Sequence, residues 1–137
     1  MKPAILVLCT GNSARSQMAE GLLRRSLGDR FEVHSAGTRP SVVRPEAIAV
    51  MAELGIDISG HWSKSVEEFL GGEFAYIFTV CDNAKESCPV IHCPAERIHW
   101  SFEDPAAVEG DEEIRLDSFR RIRDQIKERV NQFYLAL

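Results

Sequence analysis

Cys9-Thr10-Gly11-Asn12-Ser13-Ala14-Arg15-Ser16 is the stretch that decides how this chain folds. The apolar run Ala4-Ile5-Leu6-Val7-Leu8 leads into it without polar alternation, the pattern of a strand buried on both faces. Beyond it Met18, Ala19, Leu22, Leu23 and Leu27 recur at helical spacing, with Arg24 and Arg25 turned outward and Gly28 as terminator. Strand, tight loop and helix in that order gather backbone N–H groups and a helix N-terminus around one point, where a phosphate-sized oxyanion fits. Cys9 lies at the floor of that cup, and Arg15 offers a planar fork of donors suited to two oxygens at once. A thiol so placed is expected to ionise below the free-cysteine value of about 8.5, which makes Cys9 the candidate nucleophile.

Thr10, Gly11, Asn12, Ser13, Ala14 and Ser16 complete the candidate anion-binding loop with Arg15. Asn tolerates positive φ, which a loop wrapped around an anion needs, so Asn12 reads as structural as much as chemical. Ser16 can donate to the thiolate, cap the helix, or do both. The plain alternative is a buried cysteine at a strand end with its arginine in an ion pair.

The chain has 137 residues, 45% hydrophobic and 27% charged, which suits one globular domain spanning 1–137. Its formal net charge of −5 argues against a nucleic-acid binder working through bulk charge, so an anionic substrate must be attracted locally. The apolar start is too short for a signal peptide, and nothing reaches the length of a membrane span. The expectation is a cytoplasmic monomer. In a reducing compartment its four cysteines are catalytic, redox-active or metal-bound rather than structural disulfides.

Further strands are expected at residues 31–35, 74–80 and 97–100, and further helices from Pro45 to Leu54, at 66–70, and along the last stretch of the chain. In that stretch Leu116, Phe119, Ile122, Ile126, Val130 and Phe133 fall three and four apart. Strands alternating with helices imply an α/β fold, a four-stranded parallel sheet flanked by helices on both faces, with the loop after strand 1. Ligands of such sheets gather at the carboxyl ends of the strands. The first strand delivers Cys9 to that edge and the third delivers Cys81, so the two thiols can face one another.

Cys81 and Cys88 bracket six residues, and Pro89 follows. Were that insert helical, the two would stand two turns apart, roughly 10 Å along the axis. A disulfide needs Cα atoms within about 7 Å, so closing one requires the segment to unwind. Two readings compete: Cys81 simply ends a strand while Cys88 and Cys93 pack as small hydrophobes, or Cys81, Cys88, His92, Cys93 and His99 build a zinc site, though it lacks a tight C-x2-C pair. Cys93 has no assigned role. In Asp104-Pro105 the proline biases its neighbour to extended backbone, which can project the Asp104 carboxyl as a general acid; Asp82 and Glu103 compete for that role.

Together these residues resemble the low-molecular-weight protein tyrosine phosphatase superfamily, and within it the thioredoxin-coupled arsenate reductases. The resemblance runs over the whole chain. It rests on Cys9 to Gly21, Ser35-Ala36-Gly37, Asp57-Ile58-Ser59, Cys81 to Pro89, and His99-Trp100 with Asp104-Pro105-Ala106. It implies that Cys9 attacks arsenate held by the loop amides and Arg15 while Asp104 protonates the departing oxygen. Cys81 would then attack the sulfur of Cys9, releasing arsenite, and Cys88 would attack Cys81. Thioredoxin, or a glutathione/glutaredoxin pair, would reduce the resulting Cys81–Cys88 disulfide. No bound cofactor or metal is implied, and phosphate or sulfate would compete with arsenate. Some relatives hold potassium beside the loop through an Asn, a Glu, a Ser and an Asp. Asn12, Glu20 and Ser35 match three of these, whereas Lys64 takes the Asp position, so its ammonium is expected to replace the ion. The alternative activity is phosphomonoester hydrolysis through a Cys9 phosphoenzyme; a third reading is an oxyanion-sensing or zinc-bound module without turnover.

Overall fold

The computed structural model describes residues 2–81 and 93–137. Strands β1 (Ala4–Cys9), β2 (Glu32–Gly37), β3 (Tyr76–Thr79) and β4 (Glu96–His99) form one sheet in the order β2-β1-β3-β4. All three pairings are parallel, as expected. The register sets Cys9 opposite Gly37 and Leu8 opposite Thr79. Residues Ile5 to Cys9 are at most 3% exposed, so the central strand is covered on both faces.

Helix α1 (Arg15–Leu27) and helix α2 (Pro45–Ala52) pack on each other and on the long closing helix α3 (Glu112–Ala136). The apolar stripe of α3 buries Phe119, Ile122, Ile126 and Val130. Tyr76 and Phe78, two apart on β3, share one face and meet Phe133 edge-on at 4.9 and 5.1 Å. Trp100 closes that cluster, 4.4 Å from the Phe78 ring. Arg123 is buried on α3, where it donates to the Val50 carbonyl at 2.9 Å and to Glu53 at 2.7 Å, tying α2 down.

The boundaries differ from expectation where side chains cap rather than pack. Helix α3 begins at Glu112, ahead of the apolar series that starts at Leu116, because the Asp111 side chain accepts from the Ile114 N–H. Its acidic first turn also suits the positive end of the helix dipole. Val66–Phe69 is a single 3-10 turn closed by a reciprocal Ser65–Glu68 capping box. Strand β3 is shorter than its apolar run: Phe74 lies before it and Val80 continues past it toward Cys81. No helix among the described residues is long and apolar enough to cross a membrane.

Candidate active site

Residues 9–15 bend from the end of β1 into α1 because their carbonyls are taken from outside the bend. Thr38 N–H donates to the Cys9 carbonyl at 3.2 Å, Arg39 to Thr10 at 2.8 Å, Ser41 to Gly11 at 3.1 Å and Arg44 to Ser13 at 2.9 Å. The Asn12 carbonyl accepts from the Ser63 hydroxyl at 2.7 Å and the Gln17 amide at 3.1 Å. A trans peptide points its C=O and the following N–H in opposite directions. The N–H groups that follow these carbonyls therefore turn inward, toward a cavity of about 370 Å³ whose lining includes Cys9, Thr10, Gly11, Ser13, Ala14, Arg15 and Asp104.

Asn12 and Ser16 stand behind that lining, both fully buried. Asn12 takes a φ of +48°, the only positive φ of a non-glycine residue among the described ones. Its amide donates to Ser16 Oγ at 2.8 Å and Ser35 Oγ at 2.9 Å. Its Oδ1 accepts from Gln17 at 3.0 Å and from the Lys64 N–H at 2.9 Å. With its side-chain amide donors and its oxygen engaged in the scaffold, Asn12 holds the loop's shape. Ser16 neither caps α1 through its side chain nor lines the cavity. Gly37 touches the loop from β2: a Cβ there would lie 2.5 Å from the Thr10 carbonyl and 2.9 Å from the Asn12 nitrogen.

A second layer lies beneath. Ser35 donates to Glu20 at 2.7 Å, and the Lys64 ammonium sits 3.6 Å from the same carboxyl oxygen. That ammonium also donates to the Trp62 carbonyl at 2.9 Å and lies 5.0 Å from the Trp62 ring centre. A cation from the chain thus already stands against Glu20, one of the three residues that match the potassium-holding set. His61 Nδ1 faces Gln17 Oε1 at 2.9 Å and a Glu20 oxygen at 3.3 Å. Both partners are acceptors, so Nδ1 carries the proton. Burial, chiefly, holds the His61 pKa below its ordinary value; Glu20 opposes this, while Arg24 and Lys64 reinforce it.

Cys9 and Cys81 are both buried and reduced, and their sulfurs share a hydrogen bond. Thr10 Oγ1 lies 3.3 Å from Cys81 Sγ and so joins the loop to the second thiol. The Cys9 thiol is pushed up from its ordinary value, first by the bond to Cys81 and next by burial; the Arg15 charge and the Thr10 N–H pull it down. This corrects the sequence expectation of a simply lowered value. Two adjacent thiols in a dry site cannot both ionise, so they titrate as a pair. When the shared proton moves to Cys81, the charge remaining on Cys9 faces Arg15 and the Thr10 N–H.

Arg15 donates through one nitrogen to the Phe102 carbonyl at 3.0 Å. That anchor belongs to the same loop as Asp104, so the guanidinium and the carboxyl are positioned together. Asp104 Oδ1 accepts from the Ala106 N–H at 2.9 Å and caps the short turn Pro105–Ala107. Its carboxyl stands exposed at the cavity wall. Cys93 is half-buried against the core. Cys88, His92 and Asp82 lie outside the described residues. Among the described residues no three His, Cys, Asp or Glu side chains gather as they do around a metal ion. Sequence reasoning missed Gln17, His61 and Ser63 beneath the loop and the 38–44 strap around it.

A family model described as low molecular weight phosphotyrosine protein phosphatase matches residues 4–137. The chain is 44% identical over 132 residues to an arsenate reductase of Halalkalibacterium halodurans, covering 96% of this chain and 95% of that one. It is 41% identical over 129 residues to an arsenate reductase of Bacillus subtilis, covering 94% and 93%. Among solved structures, an arsenate reductase in its oxidized state superposes with a TM-score of 0.83 at 34% identity, covering 99% and 98% of the two chains. A tyrosine phosphatase of Erwinia amylovora, at 21% identity with a TM-score of 0.78 over 100% and 94%, shares the fold.

Proposed function

The chain belongs to the low molecular weight phosphotyrosine protein phosphatase family, and from that premise we propose that it is an arsenate reductase built as one domain over residues 1–137. The observation that carries the reading is a second buried reduced thiol, Cys81, brought beside Cys9 behind the anion loop, with Thr10 Oγ1 3.3 Å from Cys81 Sγ. Hydrolysis of a phosphomonoester needs the first sulfur alone. Reduction of the bound anion needs a second sulfur within reach of the first.

In this mechanism the Cys9 thiolate attacks arsenic in arsenate held by the loop N–H groups and Arg15. Asp104 gives its proton to the departing oxygen, which leaves as water. The Cys81 thiolate then attacks Cys9 Sγ. The S–As bond breaks with its electron pair kept on arsenic, so As(V) becomes As(III), arsenite leaves and a Cys9–Cys81 disulfide remains. Cys88 attacks Cys81 Sγ, frees the Cys9 thiolate and leaves a Cys81–Cys88 disulfide. A dithiol of the thioredoxin class reduces that disulfide by exchange through Cys88 or Cys81. An internal disulfide as end product favours such a protein dithiol over glutathione, and a cycle of this kind suits a reducing, cytoplasmic compartment.

The test is arsenate-dependent NADPH oxidation with thioredoxin and thioredoxin reductase, repeated with glutathione and glutaredoxin. Wild-type protein is expected to turn over, and Cys9→Ser, Cys81→Ser and Cys88→Ser to lose that activity. Hydrolysis of an aryl phosphate, the side activity the loop allows, is expected to vanish with Cys9→Ser and to survive the other two. Normal thioredoxin-linked turnover by Cys81→Ser would overturn the relay.

A further inference from the structure

We propose that Arg44 is a second guanidinium of the oxyanion site, one that binds the tetrahedral dianion beside Arg15 and sets how tightly it is held. The inference rests on reading the Cys9 cavity as an oxyanion site and adds to it a residue outside the loop. Four observations carry it.

First, Arg44 lines the same cavity as Cys9, Arg15 and Asp104. Second, its backbone is pinned to the loop, since the Arg44 N–H donates to the Ser13 carbonyl at 2.9 Å. Pro45 follows and holds Arg44 in extended backbone, with φ −69° and ψ 134°. Third, Arg44 Nε is buried without a hydrogen-bond partner among the described residues. An N–H shielded from water and lacking an acceptor is costly, and an oxyanion in the cavity would relieve that cost.

Fourth, the only ion pair of Arg44 among the described residues is weak and shared. Its Nη2 lies 3.7 Å from Glu46 Oε2, and Arg115 Nε lies 3.8 Å from that same oxygen. Both distances exceed a hydrogen bond. One carboxylate shared between two guanidinium groups leaves the Arg44 charge only partly neutralised. The Arg44 side chain remains 39% exposed, so it is reachable by an incoming solute. In a chain of net charge −5, such a local cation adds to Arg15 in drawing a dianion to the cavity.

The experiment measures the KM for arsenate and the inhibition constant of inorganic phosphate in wild-type protein, Arg44→Gln, Arg44→Lys and Glu46→Gln, with a thermal melt of each. In Arg44→Gln both constants are expected to rise about tenfold while kcat moves less than about twofold, the size of one charge-assisted hydrogen bond. Arg44→Lys keeps the charge but not the fork and is expected to lose about threefold. Glu46→Gln releases the guanidinium and is expected to tighten phosphate. A folded Arg44→Gln with unchanged constants overturns the proposal. So does a Glu46→Gln protein that binds phosphate no better than wild type, since Arg44 would then be only a tie to Glu46; that arm decides the matter if Arg44→Gln fails to fold. Phosphate affinity that depends on Arg44 without arsenate turnover would sink the reductase reading and leave this inference standing.

Discussion

The ammonium of Lys64 lies 3.6 Å from Glu20 Oε1, with the two side chains only 10% and 4% exposed. Ser35 donates to that same oxygen, and Asn12 donates to Ser35, so the charge pair is joined to the backbone of the anion loop through two hydrogen bonds. The chain thus carries its own cation beneath the site.

Activity is therefore expected to be indifferent to exchanging sodium for potassium at constant ionic strength. Lys64→Asp leaves the Glu20 carboxylate buried beside a second acid and is expected to cost about 3 kcal/mol of stability, as removal of one partner of a buried pair does. Potassium should restore part of the melting temperature of Lys64→Asp, and sodium less. A strong gain in wild-type arsenate turnover on adding potassium would refute the assignment of Lys64 as the resident cation.

Gly37→Ala is expected to damage the site more than any other alanine on β2. Its Cβ would stand 2.5 Å from the Thr10 carbonyl and 2.9 Å from the Asn12 nitrogen, and both are backbone atoms that cannot swing aside. Overpacking of this kind costs about 1–3 kcal/mol. Because the displaced atoms belong to the loop, phosphate binding should weaken beyond what the stability loss explains. Titration of phosphate into folded Gly37→Ala checks this; wild-type affinity would mean that the loop shifts without opening.

The loop was legible because its logic is local. Ala4 to Leu8 specify a buried strand, Met18 to Leu27 a helix, and an Asn between them supplies the φ of +48° that closes the bend. The supports were not legible, because tertiary packing delivers them. Gln17 reaches the Trp62 carbonyl, Ser63 reaches that of Asn12, and Arg44 lies along Ser13, contacts with no periodicity to announce them. The Cys9 thiol differs from expectation for another reason. Strand order brings Cys81 beside it, but the balance between that sulfur and burial on one side and Arg15 and the Thr10 N–H on the other is set by packing.

His61 makes part of the stability pH-dependent. Its folded pKa lies below the ordinary value near 6.5, chiefly through burial, so the unfolded chain takes up a proton first as pH falls. The neutral ring's contribution is complete above the unfolded pKa and is lost as pH drops through about 6.5 toward the folded value. Denaturant titrations of wild-type protein and His61→Gln at several pH values should show the wild type losing more stability on acidification. Parallel curves would mean that Glu20 compensates for the protonated ring.

Cys81 sets the proton affinity of Cys9. The bond between the two sulfurs is the largest influence raising the Cys9 thiol, ahead of burial, while Arg15 and the Thr10 N–H lower it. Cys81→Ala deletes the raising partner and leaves the others in place, so Cys9 should titrate at lower pH than in wild-type protein. Arg15→Ala deletes the chief lowering influence and should move it the other way. The pH dependence of Cys9 alkylation by iodoacetamide, followed on the Cys9 peptide by mass spectrometry, measures both shifts. Faster alkylation of Cys9 near neutral pH in Cys81→Ala is the expected outcome. An unchanged profile would mean that the two sulfurs do not share a proton, and the second thiol would then have no influence on the first before the chemistry begins.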